Sequence, residues 1–315
     1  MTPEQNRLYL DHAASAPVLP EALEAVAAGY RAFANPSSPH GEGRAARAAL
    51  EQARERVRAA LGWPGEVVFT SGASEALAIA LGRASLPLAA VSAVEHEAVL
   101  RLAGDARRLP VDAAGRVDPG TCAIAGLVAV QQVNSETGLI QPLDDVARAV
   151  QGAGGVLLAD CAQGAGKLAL PDADMIAIAA HKFGGPVGIG ALLVREWSLI
   201  GPSGGQERGY RPGTEALPLV LGMAAALEVN RDWLAGAAHL RARLDAAIVA
   251  AGGEVVAADA PRIATIGAYR MPGVSAIAQV IRFDAMGIAV SAGSACSSGT
   301  MRPSHVMAAI GIDQA

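Results

Sequence analysis

The stretch of sequence that indicates the fold most directly is Met175-Ile176-Ala177-Ile178-Ala179-Ala180-His181-Lys182-Phe183-Gly184-Gly185-Pro186. The apolar run predicts a buried strand, and the glycines and proline after it predict a turn. A lysine between the two is partly desolvated, and such an amine is a usable nucleophile for a Schiff base near neutral pH. Taken alone, Lys182 is better explained as a strand-end lysine whose ammonium reaches water.

An acidic residue at the end of another apolar run changes that balance. Val156-Leu157-Leu158-Ala159 is followed by Asp160, with Gln163 shortly after it. A lysine for the aldehyde and an acid for the pyridinium nitrogen are the two groups that a pyridoxal 5'-phosphate (PLP) site requires. The sequence therefore predicts such a site around Lys182 and Asp160.

Short apolar runs alternate with alanine-rich stretches along most of the chain. Strands are predicted at 67–69, 88–94, 124–133, 156–160, 175–180 and 191–195, and helices at 76–83 and 143–152. This alternation predicts an α/β fold with a largely parallel sheet. From 218 to 251 the pattern is helical, with a break near Gly236. Shorter elements follow, with strands near 254–257 and 264–271 and a helix at 275–286, and they predict a smaller α+β domain.

Composition favours a soluble cytoplasmic protein. Of 315 residues, 52% are hydrophobic and 17% are charged, which argues against disorder. The net charge of −5 gives no reason to expect a nucleic acid or an anionic membrane as a partner. Neither a membrane span nor a signal region is evident, and three cysteines do not make a disulfide framework. No metal site is predicted.

Thr70-Ser71-Gly72-Ala73-Ser74-Glu75 is the second chemically informative stretch. A strand that ends in small residues and opens a helix directs backbone N–H groups toward one point, which suits the phosphate of PLP. An ordinary helix N-cap with a hydroxyl explains this hexapeptide equally well. His96 follows a predicted strand, where α/β proteins bind ligands, although a loop histidine with no such role is the alternative.

The third stretch is a loop that contains a cysteine. Eight of the nine residues of Ser291-Ala292-Gly293-Ser294-Ala295-Cys296-Ser297-Ser298-Gly299 are Ser, Gly or Ala, a composition that favours a mobile loop. An exposed thiol there suggests that its reactivity is used. Cys122 and Cys161 are instead interpreted as buried packing residues.

Collinear motifs over nearly the whole chain resemble the cysteine desulfurases of the class V aminotransferase group, specifically the iron–sulfur-cluster and nitrogen-fixation type. The matching stretches are residues 10–17, 35–44, 69–75, 95–96, 134–138, 160–163, 181–190, 204–215 and 291–299. The resemblance implies the PLP-dependent transferase fold type I. The large PLP-binding domain would span residues 14–235. The small domain would comprise 1–13 and 236–315 and would carry the catalytic cysteine loop.

The resemblance also implies a role for each matched residue. Lys182 would hold PLP and move the Cα proton, and Cys296 would attack the substrate sulfur and carry the persulfide to an acceptor. The remaining cofactor contacts would be His96 on the ring, Asp160 at the pyridine nitrogen, Gln163 at the phenolic oxygen, Ser74 and His181 at the phosphate, and Thr214 from the other subunit. The last contact implies a homodimer.

Three departures from the family pattern accompany these matches. Ser135 stands where the family has a cofactor-contacting asparagine, and Ala179 stands where it has a phosphate-binding serine. The chain ends at Ala315, and the family's arginine for the substrate carboxylate has no counterpart in it. We expect either a C-terminally incomplete sequence or a different mode of substrate binding.

The sequence therefore predicts conversion of L-cysteine to L-alanine, with sulfur left on Cys296 for an iron–sulfur scaffold or another sulfur acceptor. One alternative is another class V PLP lyase or transaminase, for instance one acting on selenocysteine. The loop cysteine argues against a plain transaminase, which needs no thiol. A truncated, non-catalytic paralogue is a second alternative. The missing arginine argues for it, and Lys182, Asp160 and Cys296 argue against it.

Overall fold

A computed structural model describes residues 7–293 and 304–312. Helices within these ranges are α1 Pro20–Arg31, α2 Gly41–Leu61, α3 Ala73–Arg83, α4 Glu97–Leu100, α5 Leu143–Gly152, α6 Leu217–Glu228, α7 Trp233–Ala250, α8 Ala276–Ala285 and α9 His305–Ala309. Strands are β1 Leu8–Tyr9, β2 Glu66–Thr70, β3 Leu88–Ser92, β4 Arg107–Leu109, β5 Leu127–Gln131, β6 Val156–Asp160, β7 Met175–Ala179, β8 Gly190–Val194, β9 Glu254–Val255, β10 Tyr269–Arg270 and β11 Ile288–Ala289.

Within the described ranges, seven strands form one sheet in the order β2-β8-β7-β6-β5-β3-β4. The pairs from β4 through β7 are parallel, and β8 is antiparallel to both of its neighbours. Every residue of β5, β6, β7 and β8 is buried. Strands that are apolar on both sides belong to a parallel sheet covered on both faces, as the uninterrupted runs in the sequence indicate. The predicted α/β fold with a mostly parallel sheet is confirmed.

The sheet places several polar segments at one edge. Asp160 is the last residue of β6, and a 3-10 turn, Ala180–Lys182, follows β7 directly. His96 begins α4, shortly after β3 ends. Because carboxyl ends of parallel strands meet at the same edge of a sheet, these segments lie together there.

Smaller elements occupy the remainder of the described chain. β1 pairs with β11 in parallel, with Leu8 opposite Ile288, so that the N-terminal segment joins elements from late in the chain. β9 and β10 form an antiparallel pair next to α7. The pairing of β1 with β11 is compatible with the predicted grouping of residues 1–13 with 236–315, but those boundaries stay a prediction.

The predicted break or bend near Gly236 is present, but it lies a few residues before that glycine. Helix α6 ends at Glu228 and α7 starts at Trp233, so Gly236 lies inside α7. The break falls between the helices, where the Asn230 side chain accepts a hydrogen bond from the Asp232 N–H at 2.7 Å and donates to the Asp232 carboxylate. Local side-chain hydrogen bonds of this kind compete with helix continuation, whereas a glycine inside a helix is tolerated.

The predicted strand at 264–271 is also largely wrong, because only Tyr269–Arg270 is extended and paired. The residues before it pack against the segment that follows β5 instead. Ile263 donates its N–H to the carbonyl of Gly138 at 2.8 Å, and Ile266 is buried beside Val133. Tertiary packing therefore takes precedence over the local apolar pattern. No helix of the described ranges is long and apolar enough to cross a lipid bilayer.

Candidate active site

Lys182 points inward from the turn after β7. Only 8% of the residue is exposed, and Nζ donates hydrogen bonds to the carbonyl oxygens of Ala13 and Ala14, the latter at 2.9 Å. The alternative of a strand-end lysine reaching into water is therefore wrong. Main-chain carbonyls are neutral acceptors, so these bonds orient the amine without neutralising it.

Asp160 lies close enough to Lys182 for their charges to interact, at the end of the neighbouring strand. Burial raises the pKa of Asp160, while the Ala162 N–H at 2.9 Å and the charges of His96 and Lys182 act in the opposite direction. A cation next to a buried carboxyl with a raised pKa stabilises the ionised form of that carboxyl. Its place suits a protonated ring nitrogen.

Gln163 is buried and shares an acceptor with Lys182. Its Nε2 donates to the Ala13 carbonyl at 2.8 Å, and Oε1 is buried with no partner among the described residues. The amide nitrogen has a second hydrogen for an oxygen acceptor in the pocket. The buried Oε1 without a partner fits a site that binds a polar group.

His96 caps helix α4. Its Nδ1 accepts a hydrogen bond from the Ala98 N–H at 3.1 Å, so Nε2 carries the proton when the ring is neutral. The cap fixes the ring at the same sheet edge as Asp160, and their charges interact. The expectation that His96 lies at the ligand edge is compatible with this geometry, and its role stays a prediction.

The first turn of α3 is open. Gly72 is the N-cap residue, and no side chain caps the helix, so the alternative of a hydroxyl cap is wrong. Ser74 is exposed in that turn. A Cβ on Gly190 would lie 2.7 Å from the Gly72 Cα, so strand β8 approaches this turn as closely as backbone allows. Uncapped N–H groups at a helix N-terminus form an anion site, which fits the phosphate of PLP.

His181 and Ser135 follow β7 and β5, so both lie toward the sheet edge that holds Asp160. Burial and the neighbouring charge of Lys182 lower the pKa of His181, and its carbonyl accepts the Ala16 N–H at 2.8 Å. Ser135 is partly buried in the turn after β5. Asn134 stabilises that turn, because its Oδ1 accepts hydrogen bonds from the N–H groups of Glu136 and Thr137.

Thr214 is exposed, in the loop before α6. Arg211 ties this loop to the open helix turn, because its Nε donates to Glu75 Oε1 at 2.9 Å. Further back, Glu207 is buried and accepts hydrogen bonds from Arg54 Nη1 at 2.8 Å and from the Phe69 N–H at 2.8 Å. The loop that carries Thr214 is therefore anchored beside β2 and α3.

Sequence reasoning gave no role to Glu95, although it stands directly before His96. Glu95 is fully buried, and its Oε1 accepts the Gln131 N–H at 2.8 Å. Strand β3 ends at Ser92, so the carboxyl takes the place of a strand carbonyl beside the end of β5. The sequence signal at this position is a glutamate directly after the apolar pair Ala93-Val94, which indicates a buried carboxyl but not its partner.

A second group that sequence reasoning missed follows the cysteine loop. Ser304 donates from Oγ to Glu136 Oε2 at 2.6 Å, and the His305 Nε2 is 2.9 Å from the Glu95 carbonyl oxygen. Burial raises the pKa of Glu136, and the Ser304 hydroxyl and the charges of His305 and His96 oppose that shift. Residues 304–309 are thus bound to the edge that holds His96.

Cys296 itself lies outside the described residues. Cys122 and Cys161 are completely buried, and burial raises the pKa of each thiol, for Cys161 well above its ordinary value. Both are packing residues, as predicted. Among residues 7–293 and 304–312, no cluster of His, Cys, Asp and Glu could hold a metal ion.

The fold and this edge define a PLP enzyme of fold type I. An inward lysine, a buried acid with a raised pKa and an uncapped helix N-terminus match the aldehyde, the ring nitrogen and the phosphate of one cofactor. The chain belongs to the aminotransferase class-V family, whose model matches residues 8–312.

Individual relatives are similar over nearly their full length. A cysteine desulfurase of Cereibacter sphaeroides is 36% identical over 343 residues, covering 96% of this chain and 87% of that protein. An IscS-like cysteine desulfurase of Mycobacterium tuberculosis is 36% identical over 346 residues, covering 98% and 88%. A solved NifS-like protein has a TM-score of 0.88 at 29% identity, covering 98% of this chain and 91% of that one. SspA in complex with cysteine has a TM-score of 0.82 at 29% identity, covering 98% and 95%.

Proposed function

We propose that this protein is a PLP-dependent cysteine desulfurase. The carbon–sulfur bond of L-cysteine breaks, and its sulfur forms a persulfide with the thiol of Cys296. L-alanine is the other product, and L-cysteine and the Cys296 thiol together supply all the hydrogens of both products. The observation that carries the proposal is the buried Lys182 and Asp160 at the sheet edge beside the open turn of α3. The cysteine desulfurases among the relatives and the cysteine complex of SspA support the substrate.

The reactive end of the site consists of Lys182, Asp160, His96 and Gln163. Bound PLP supplies an electron sink for the Cα–H bond of the substrate. Asp160 would keep a proton on the ring nitrogen, and His96 would contact the ring. Lys182 Nζ, which here donates to the Ala13 and Ala14 carbonyls, would hold the cofactor aldehyde and move the Cα proton. Gln163 donates to the phenolic oxygen.

The phosphate end of the site rests on α3. The phosphate would be bound by the N–H groups of the first turn of α3, by the Ser74 hydroxyl and by His181, all from one subunit. Thr214 of the other subunit would contact the same phosphate. Ser135 borders the pocket in place of the family's asparagine. We propose a homodimer on this basis, since each site takes a residue from each subunit.

The product side requires a sulfur acceptor. A persulfide on Cys296 transfers its outer sulfur to a thiol of an acceptor or iron–sulfur scaffold protein, and the reducing cytoplasm is the compartment in which such exchange is productive. The buried, reduced Cys122 and Cys161 are compatible with that location.

The experiment compares sulfur and alanine in one reaction. The PLP-loaded protein is pulsed with L-cysteine, alanine is quantified, and the persulfide is located by mass spectrometry. We expect one alanine for each sulfur added, with the sulfur on Cys296. Cys296→Ser should abolish alanine formation while leaving the cofactor spectrum unchanged. The matched control, Cys122→Ala, should keep both alanine formation and the cofactor spectrum.

Three outcomes would contradict the proposal. Sulfur on Cys122 or Cys161 would exclude the assigned nucleophile. Amino-group transfer without alanine would indicate a transaminase, and a cofactor-loaded protein inert to cysteine and selenocysteine would indicate a non-catalytic paralogue.

A further inference from the structure

A cavity of about 300 Å³ has none of the proposed active-site residues in its lining. The end of α2, the loop after Gln163 and the end of α6 surround it. Its lining is Ala60, Leu61, Gly166, Lys167, Leu168, Ala169, Leu170, Leu227 and Arg231. The volume is at the lower end of the range for small-molecule sites, and the walls are largely aliphatic.

Arg231 brings a positive charge to the cavity that no carboxylate within the described ranges neutralises. Its Nε donates to the Gly166 carbonyl at 3.0 Å, and its Nη2 donates to the carbonyls of Phe183 at 3.0 Å and Ala226 at 2.7 Å. Burial lowers the pKa of Arg231, the direction expected for a guanidinium bonded only to neutral acceptors. Nη1 is not used in these bonds.

Lys167 is the second cation of the cavity. The residue is partly buried, and its backbone N–H donates to the Gly164 carbonyl at 2.9 Å, but its ammonium makes no hydrogen bond or ion pair with any residue in 7–293 or 304–312. Burial, followed by the charges of Lys182 and Arg231, lowers the pKa of Lys167 to about 8. Lys167 and Lys182 are the only lysines in the sequence, which otherwise uses arginine for its basic residues.

No acid balances this pair within the described part of the chain. The acidic residues beside the lining in sequence are engaged elsewhere, Glu228 with Arg56 at 2.6 Å and Asp232 with Asn230 at 2.6 Å. The C-terminus of α6, whose carbonyls Arg231 meets, contributes only about half a negative charge. Two cations in a partly buried cavity therefore retain a net positive charge.

We infer that this cavity binds a small organic anion, a carboxylate with a short aliphatic chain, between Lys167 and Arg231. The carboxylate takes hydrogen bonds from Lys167 Nζ and the unused Arg231 Nη1. The chain lies against Leu61, Leu168 and Leu227. Binding neutralises the repulsion between the cations, so Lys167 takes up a proton when the anion binds near pH 8.

The test uses hexanoate on the PLP-saturated protein, so that the cofactor site is occupied. Titration calorimetry at pH 8, in two buffers of different ionisation enthalpy, should detect hexanoate binding with proton uptake. Hexanamide, which has the same chain but no charge, should not bind. Lys167→Met removes one charge-assisted hydrogen bond and should weaken hexanoate binding about tenfold to a hundredfold.

Arg243→Met is the matched control, because Arg243 is exposed on α7 and its loss changes the net charge equally. It should leave hexanoate affinity unchanged. Three outcomes overturn the inference: no hexanoate binding, equal binding by Lys167→Met, or binding of inorganic phosphate in place of hexanoate. Because the readout is binding and not turnover, its failure is distinguishable from failure of the proposed desulfurase activity.

Discussion

At the scale of the residue, Glu95 is a carboxyl whose chemistry departs from its ordinary behaviour. Its pKa is raised well above the ordinary value of 4.5, first by burial and then by the charge of Asp160, although the Gln131 N–H opposes the shift. A carboxyl whose pKa is raised by folding is most stabilising while protonated. Its contribution is full below the unfolded pKa and is lost as pH rises from there through the folded pKa.

Glu95→Gln tests this protonation, because the amide is a neutral replacement of nearly the same shape. The free energy of unfolding of the variant minus that of the wild type should increase by about 1.4 kcal/mol per pH unit above pH 4.5. Urea unfolding of the cofactor-saturated proteins from pH 4 to 8 gives the comparison. Glu97→Gln, at the exposed next carboxylate, should follow the wild type. A constant difference across that range would mean that folding leaves the ionisation of Glu95 unchanged.

At the scale of the element, the open turn of α3 should contribute affinity only through the phosphate. Ser74→Ala removes one hydrogen bond to a dianion and should weaken PLP binding about tenfold to a hundredfold. Pyridoxal, which lacks the phosphate, should bind wild type and variant equally. Fluorescence titration of the cofactor-free protein measures both ligands, with Ser203→Ala as the control. Equal losses for PLP and pyridoxal would remove α3 from the phosphate site.

A buried ion pair should hold the Thr214 loop in place. Arg54 and Glu207 have side-chain exposures of 2% and 1%, whereas those of Arg56 and Glu228 are 41% and 43%. Glu207→Gln leaves the buried Arg54 with Glu51, at 3.2 Å, as its remaining carboxylate partner and should cost up to about 3–5 kcal/mol of unfolding free energy. Glu228→Gln, the same change on the exposed pair, should cost about 0–1 kcal/mol. Urea midpoints for the two variants that differed little would show that the buried pair is not what anchors the loop.

The buried strands and their edge were predictable because they depend on local pattern. β6 and α5 fall where the apolar runs predict them, and the hydrophilic residues at strand ends predict the edge. Glu95 and Glu207 were not predictable in role, since each is stabilised by a partner distant in sequence, Gln131 and Arg54. The same reason explains the error at 264–271, where contacts with the segment after β5 decide the backbone.

At the scale of the whole molecule, the proposed dimer has a test that uses two lesions. In mixed dimers with Thr214→Val on one chain and Lys182→Ala on the other, both lesions fall in one site if Thr214 serves its partner. The other site is then wild type, and about half the activity per dimer should survive. Differently tagged chains allow the mixed dimer to be purified for an alanine assay. Surviving activity that matched a Thr214→Val site alone would mean that Thr214 serves its own subunit.

The measurement that tests the central claim most directly is the position of the cofactor on the chain. Borohydride reduction of the PLP-loaded protein, followed by peptide mapping, must distinguish only Lys182 from Lys167, since the sequence has no other lysine. We predict a reduced cofactor on Lys182 alone, retained in Lys167→Met and absent in Lys182→Ala. A reduced cofactor on Lys167, or none on either lysine, would contradict the assignment of Lys182 and the site built around it.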